Sequence, residues 1–150
     1  MSRARWIGAG FLGVLCACIA SSDARRTILS ARAPAPIGPY SQAVQVGDTL
    51  YAAGQIGLEA QSSALVAGGI QAETRQALRN LDAVLDEAGF RLADIVQTQV
   101  YLADLAEFAA MNEVYAEFFR DAPPARATVG VAALPKGARV EIAVVAVRAR

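Results

Sequence analysis

The chain has 150 residues, a formal net charge of zero, and a hydrophobic fraction of 55%. This length suits one domain, and the hydrophobic fraction is enough to bury a core, which argues against global disorder. A neutral chain is also a poor candidate for nucleic-acid binding, which requires basic side chains to neutralise phosphates.

Several catalytic chemistries are excluded by missing residue types. The sequence has no histidine, and its two cysteines, Cys16 and Cys18, both lie near the amino terminus. Ser-His-Asp catalysis and histidine-based zinc sites are therefore impossible, and the rest of the chain has no thiol. Chemistry must come from carboxylates, arginine, tyrosine, hydroxyls, amides, backbone groups and water, and we expect no metal and no cofactor.

The amino-terminal segment has the three-part layout of an export signal. Arg3 and Arg5 precede an apolar run, and small residues follow it. The run has about 15 residues, so a helix would span only ~22 Å, less than a bilayer core. We predict a signal peptide over residues 1–24, a domain over residues 25–150, and an exported protein, periplasmic or secreted.

Processing of this signal has three alternatives. Cleavage after Ser22 or Ala24 would release a soluble protein. Residues 15–18, with the sequence LCAC, also resemble a bacterial lipobox in which Cys18 is lipidated, and only then would the membrane be a partner. The third alternative is an uncleaved anchor or a misassigned start.

The domain begins with an extended segment and a predicted β-hairpin. Pro34 and Pro36 disfavour helix in the residues before them. Strands are predicted at residues 41–46 and 49–53 around a Gly-Asp turn, and Gly54 then interrupts the regularity.

The clearest predicted helix covers residues 70–88, because apolar residues recur on one face at helical spacing. Gly89 follows as its C-terminal cap, and Glu73 is assigned to the polar face. Alternating side chains then predict a strand over residues 95–103.

The second half contains another helix and two strands. Asp104 begins a segment like a capping box, which predicts a helix from there to about residue 119. Strands are predicted over residues 126–132 and 139–147. The last strand is apolar on both faces and therefore needs cover on both sides.

The predicted order is β-β-α-β-α-β-β, with room for one further short strand. This order indicates an α+β domain with two helices packed on one face of a mixed sheet. Two helices leave the other face of the sheet uncovered, so we expect another subunit to cover it.

Arg126 is the first candidate for chemistry. It lies among small and apolar residues at the start of a predicted strand, with Thr128 on the same face. An arginine in this setting can hold a carboxylate through two parallel hydrogen bonds. From composition alone, a solvated arginine or a structural ion pair is the simpler interpretation.

Glu141 is the only acidic residue within the apolar last strand. Partial burial could tune its pKa for proton transfer or for positioning a water molecule. The alternative is a salt bridge at a subunit contact, since buried charges are usually paired. A simple hairpin would place Glu141 opposite Val131, so strand pairing alone does not bring it to Arg126.

Three weaker candidates lie elsewhere in the chain. Tyr40 follows a Gly-Pro turn, Gly54 could offer backbone N–H groups to an anion, and Asn112 lies in the second helix. Taken singly, they are better explained as a packed aromatic, an ordinary glycine and a solvated amide.

Taken in order, several segments resemble the RidA/YjgF family of enamine/imine deaminases. The segments are APAPIGPYSQA (33–43), AGQI (53–56), DLAEF (104–108), PAR (124–126) and LPKGARVEI (134–142). Together they span the chain after the predicted signal. The resemblance implies a chorismate-mutase-like α+β fold and a homotrimer with ligand clefts between subunits.

The resemblance also implies an activity, which is hydrolysis of 2-imino acids or their enamine tautomers to 2-keto acids and ammonia. By position, Arg126 matches the family arginine that holds the substrate carboxylate, and Glu141 matches the glutamate associated with the attacking water. The matching positions of the pocket are Tyr40, Gly54, Asn112 and Thr128. No metal or covalent nucleophile is needed, because the imine carbon is already electrophilic.

Three departures from the family pattern leave the substrate preference open. Ala53 stands where many members have Ser, Thr128 where some have Cys, and Ala143 where an acidic residue is common. The expected partners are a small 2-imino acid and two further copies of the chain, with no nucleic acid. The alternative function is a non-catalytic trimer of the same fold that binds small carboxylates or protects proteins.

Overall fold

A computed structural model describes residues 24–148 of the chain. The signal predicted at residues 1–24 therefore lies outside the described residues, apart from its last position. The described part has two α-helices and six strands in one sheet. They are β1 (Arg26–Ile28), β2 (Ala43–Val46), β3 (Thr49–Ile56), α1 (Gly69–Glu87), β4 (Ile95–Leu102), α2 (Phe108–Phe118), β5 (Ala125–Gly130) and β6 (Val140–Val147).

The sheet is mixed, with the order β1-β2-β3-β6-β4-β5. Neighbouring strands are antiparallel except β4 and β5, which are parallel. The α+β prediction is confirmed, and β1 is the further short strand that it allowed. Strand β6 lies between β3 and β4, so the last strand of the chain occupies the middle of the sheet.

The core lies between the helices and one face of the sheet. Alternate residues of β6 are fully buried there, including Val140 and Ile142, and they meet apolar residues of α1 such as Leu78 and Leu81. The intervening residues of β6 point to the opposite face, which we call the open face. This alternation is the one predicted for the last strand.

The open face has no cover within the described part of the chain. Ala143 and Val145 are only half-buried on it, and Tyr51 of β3 is 54% exposed. Together with Gln97 and Gln99 of β4, these residues border a cavity of about 180 Å³. The face that the sequence assigns to a subunit contact is therefore accessible in the single chain.

Strand β3 is longer than predicted. It continues through Gly54 to Ile56, and its register with β6 shifts between Ala52 and Gln55. Such a shift is a β-bulge, which bends a strand and re-aims its side chains without ending it. The predicted interruption at Gly54 is therefore a bulge within the strand.

The prediction that α2 starts at Asp104 is wrong. The Asp104 carboxylate accepts the Ala106 N–H at 2.9 Å and caps a short 3-10 turn over Leu105–Glu107. The α-helix begins only at Phe108. The capping signal was correctly located, but it opens a tighter turn that precedes the helix.

Candidate active site

Strand β5 presents Arg126 on the same face of the sheet as the helices. Arg126 pairs with Thr98 of β4, which is fully buried beneath α2. Its guanidinium carbon lies 4.5 Å from the ring centre of Tyr115 and 5.7 Å from that of Phe108, both residues of α2. Cation–π attraction of this kind holds the guanidinium plane over a fixed platform.

Arg126 remains available to a ligand. Its side chain is exposed, and none of the ion pairs found among residues 24–148 includes it. The Tyr115 platform is fixed from below, because its hydroxyl shares a 2.8 Å hydrogen bond with the hydroxyl of Thr98. Burial raises the pKa of Tyr115, so the ring stays neutral next to the cation.

A cavity of about 450 Å³ opens beside Arg126 and is large enough for a small organic acid. We call it the Arg126 cleft. Asn112 of α2 lines it, at a position that the family resemblance assigns to the pocket. Thr128 follows on the same face of β5, and its Oγ1 is buried with no hydrogen-bond partner among the described residues. The lining residues are Asn112, Tyr115, Ala116, Phe119, Pro123, Pro124 and Arg126.

Glu141 lies on the open face of the sheet. It pairs with Ile56 of β3 and Tyr101 of β4, while its neighbours Val140 and Ile142 point into the core. No hydrogen bond or ion pair holds its carboxylate within residues 24–148. Burial raises the pKa of Glu141 above its ordinary value of 4.5. A carboxylate shifted in this direction is a better proton acceptor.

Gly54 makes room for the Glu141 side chain. A Cβ atom at position 54 would lie 2.0 Å from Glu141 Oε1 and 2.6 Å from its Cδ. The carboxylate therefore rests directly on the backbone of the β3 bulge. Only glycine is compatible with this arrangement.

A second cavity, of about 240 Å³, lies above Glu141, and we call it the Glu141 cleft. Tyr40 borders it, and the Tyr40 hydroxyl accepts the N–H of Ile37 at 3.2 Å. The rest of the lining is mostly apolar, and Ala53 supplies no hydroxyl. The lining residues are Ile37, Tyr40, Ala53, Gly54, Ile56, Pro135 and Glu141.

The structure thus sorts the predicted residues into two groups on opposite faces of the sheet. Arg126, Asn112 and Thr128 lie on the helix face, whereas Tyr40, Gly54 and Glu141 surround the Glu141 cleft. Strand β4 separates β5 from β6, so β5 and β6 do not form the hairpin considered above. Arg126 and Glu141 do not meet within one chain.

The burial of Glu73 and Asn80 in α1 was not predicted from the sequence, and Thr74 of the same helix is buried as well. Glu73 was assigned to the polar face of the helix, but its side chain is buried, and Asn80 is buried as well. Both lie at helical spacing from Ile70 and Ala77, which are also buried. That spacing was a signal in the sequence that both face inward.

Within the described range 24–148, no group of three or more His, Cys, Asp or Glu side chains could hold a metal ion. None of the helices in that range is long and apolar enough to cross a membrane.

Comparison with known proteins decides the family. A family profile described as Endoribonuclease L-PSP, which represents RidA/YjgF proteins, matches residues 30–148. The chain belongs to the RidA/YjgF family. This confirms the resemblance inferred from the ordered sequence segments.

The chain is similar to a named protein and to solved structures. A mouse protein named 2-iminobutanoate/2-iminopropanoate deaminase is 50% identical over 128 residues, which cover 85% of this chain and 95% of the relative. The E. coli YjgF gene product is 41% identical with a TM-score of 0.79, covering 83% of this chain and 99% of that one. E. coli TdcF with bound serine is 39% identical, also with a TM-score of 0.79 and the same coverage.

Proposed function

We propose that this RidA/YjgF protein hydrolyses 2-imino acids, or their enamine tautomers, to 2-keto acids and ammonia. The observation that carries the proposal is Arg126, an exposed arginine without an ion pair that is held on an aromatic platform beside a cavity. The 50% identity to a named deaminase supports the same activity. Bound serine in the TdcF structure supports a small ligand that carries a carboxylate.

The reaction needs one water molecule and no redox partner. The water oxygen bonds to the imine carbon, one water proton passes to Glu141, and Glu141 returns this proton to the nitrogen to give a carbinolamine. The hydroxyl proton of the carbinolamine then transfers to the nitrogen, with Glu141 as the carrier, while the C–N bond breaks. Ammonia leaves and the carbonyl group of the 2-keto acid forms. Arg126 would hold the substrate carboxylate through two hydrogen bonds, and orientation of this kind can supply much of the acceleration.

We propose that the working unit is a homotrimer with clefts between subunits. Arg126 and Glu141 lie on opposite faces of one sheet, so neither cleft of a single chain contains both side chains. The open face, with its half-buried Ala143 and Val145, is available for subunit contact. In each cleft, Arg126 of one subunit would face Glu141 of its neighbour.

The other pocket positions would bind substrate on the two sides of this shared cleft. Asn112 lines the Arg126 cleft and would contribute a polar contact near the substrate carboxylate. Thr128 lies on the same face of β5, but its hydroxyl oxygen is buried beside the cleft, so its role would depend on a rearrangement when substrate binds. Tyr40 and Gly54 would line the side around Glu141, where Ala53 keeps the surface apolar.

The exported setting is a further proposal, and it rests on the sequence of residues 1–24. Fractionation of cells that produce the full chain, with sequencing of the mature amino terminus, tests it. A soluble exported form starting near Arg25 would support cleavage. Membrane association that is lost in Cys18→Ala would support the lipoprotein alternative.

The activity is tested by competition with semicarbazide, which traps imines. An amino-acid oxidase generates 2-imino acids, and an active deaminase suppresses formation of the semicarbazone. Arg126→Lys should lower kcat/KM by about 10- to 100-fold, because lysine cannot bind a carboxylate in two parallel bonds. Arg75→Lys is the matched control, since Arg75 pairs with Glu117 on the outer side of the helices.

Failure of the folded, trimeric protein to suppress semicarbazone formation with any 2-imino acid would contradict the enzyme proposal. Binding of small carboxylates without turnover would then favour the non-catalytic alternative.

A further inference from the structure

Helix α1 directs two buried polar side chains toward the strand ends that form the Glu141 cleft. Glu73 is only 5% exposed and Asn80 only 1% exposed. Burying a carboxylate or an amide is costly unless it is hydrogen-bonded. The hydrogen-bond partners of Glu73 and Asn80 therefore indicate what these two polar residues do in the core.

Glu73 and Asn80 hold the two strands that meet at Glu141. The Glu73 carboxylate accepts the backbone N–H of Arg139 at 2.8 Å, two residues before Glu141. The Asn80 side-chain amide donates to the carbonyl of Ile56 at 3.1 Å and to that of Leu58 at 2.9 Å. Ile56 is the β3 residue that pairs with Glu141, so α1 is bonded to that partner of Glu141 and to the residue two positions before Glu141.

The fit between α1 and the end of β3 is tight. A Cβ atom at Gly57 would lie 2.6 Å from the Cα atom of Glu73, so the helix backbone rests directly on the chain there. Gln76 donates to the Asn80 side-chain oxygen at 2.9 Å, which leaves the Asn80 amide nitrogen for the two carbonyls. Every polar group in this contact has a defined partner.

We propose that Glu73 and Asn80 are positioning residues for the deamination. They fix the ends of β3 and β6 and thereby place the Glu141 carboxylate over Gly54. The inference rests on the proposed function, because it assigns these residues to the reaction in which Glu141 accepts a proton. No side chain within residues 24–148 hydrogen-bonds to the Glu141 carboxylate, so its position depends on the backbone that carries it.

The inference predicts a selective effect on turnover. A misplacement of about 1 Å can cost about 100-fold in rate, so Glu73→Leu should lower kcat by about 10- to 100-fold. KM should change little, because Arg126 lies on the opposite face and its platform is intact. Glu73→Gln keeps an acceptor oxygen for the Arg139 N–H and should retain nearly all of kcat.

The experiment measures kcat and KM of the full chain by the semicarbazide competition. The variants are Glu73→Leu, Glu73→Gln and Asn80→Ala, with circular dichroism and size as checks of folding. Thr74→Val is the matched control. Thr74 is fully buried in the same helix, but its hydroxyl bonds only to the Ile70 carbonyl, at 2.7 Å, within α1.

We expect Glu73→Leu and Asn80→Ala to lose kcat at unchanged KM. We expect the kcat of Glu73→Gln and of Thr74→Val to stay close to that of the unmodified chain. Normal kcat in a folded Glu73→Leu, or an equal loss in Thr74→Val, would overturn the inference. If Glu73→Leu does not fold, the kcat and KM of Asn80→Ala decide in its place: a normal kcat in folded Asn80→Ala would overturn the inference. An inactive unmodified chain would instead overturn the proposed function, and this inference with it.

Discussion

The Glu141 carboxylate occupies the space that a side chain at position 54 would need. The atoms in the way are the flexible end of a glutamate, so a larger residue at position 54 can be accommodated if Glu141 moves. At Gly57 the atom in the way is the Cα of Glu73, which cannot move without displacing α1. Substitution at position 54 therefore displaces a side chain of the site, whereas substitution at position 57 displaces a helix of the core.

Gly54→Ala should therefore lower kcat by about 10- to 100-fold, through displacement of Glu141, with little change in thermal stability. Gly57→Ala should lower the free energy of unfolding by about 1–3 kcal/mol, as overpacking does. It should also lower kcat, because displacing α1 disturbs the Glu73 and Asn80 hydrogen bonds that hold the ends of β3 and β6. Activity measurements and thermal unfolding of both variants test the pair. Full activity in Gly54→Ala would contradict the role given to this contact.

At the scale of elements, α2 determines how β5 presents Arg126. Thr98 on β4 holds the Tyr115 hydroxyl, and the Tyr115 ring lies beneath the guanidinium. The three residues come from three different elements. The orientation of Arg126 is therefore a property of the packed domain and not of strand β5 alone.

Tyr115→Leu should weaken binding of the substrate carboxylate, since a cation–π contact contributes about 0.5–2 kcal/mol. We expect KM to rise by about 3- to 10-fold, a change consistent with that energy. Tyr115→Phe keeps the ring and serves as the control, with a smaller rise. An unchanged KM in a folded Tyr115→Leu would show that the platform does not assist Arg126.

Elements with a strong repeating pattern were predictable from the sequence. The apolar periodicity of α1 and the alternation in β6 located both elements to within a residue or two. The bulge in β3 was not predictable, because it depends on register with β6, a strand that lies far along the chain. Burial of Glu73 could have been inferred from its spacing to Ile70 and Ala77, yet its charge favoured the solvent side.

The site was predictable as a set of residues but not as an arrangement. The family resemblance singled out Arg126 and Glu141, and the structure places each beside a cavity. Their location on opposite faces depends on β4 lying between β5 and β6. That order follows from long-range pairing, which a local sequence pattern does not encode.

At the scale of the whole molecule, the open face and the two separated clefts have one common explanation. A second chain covering the open face would bury Ala143 and Val145 and could bring one chain's Arg126 to the next chain's Glu141. The family profile is named for an endoribonuclease, but equal numbers of basic and acidic residues, 14 each, offer little attraction to phosphates. A small anionic substrate held by one arginine suits this molecule better.

The most direct test of a shared deaminase cleft is to mix two inactive variants. Arg126→Ala and Glu141→Gln are each expected to lack activity as pure trimers. Refolded together in equal amounts, they should regain about one quarter of the unmodified activity, since about one cleft in four would contain both intact side chains. A mixture that forms mixed trimers but stays inactive would contradict a cleft built from Arg126 and Glu141 of neighbouring subunits.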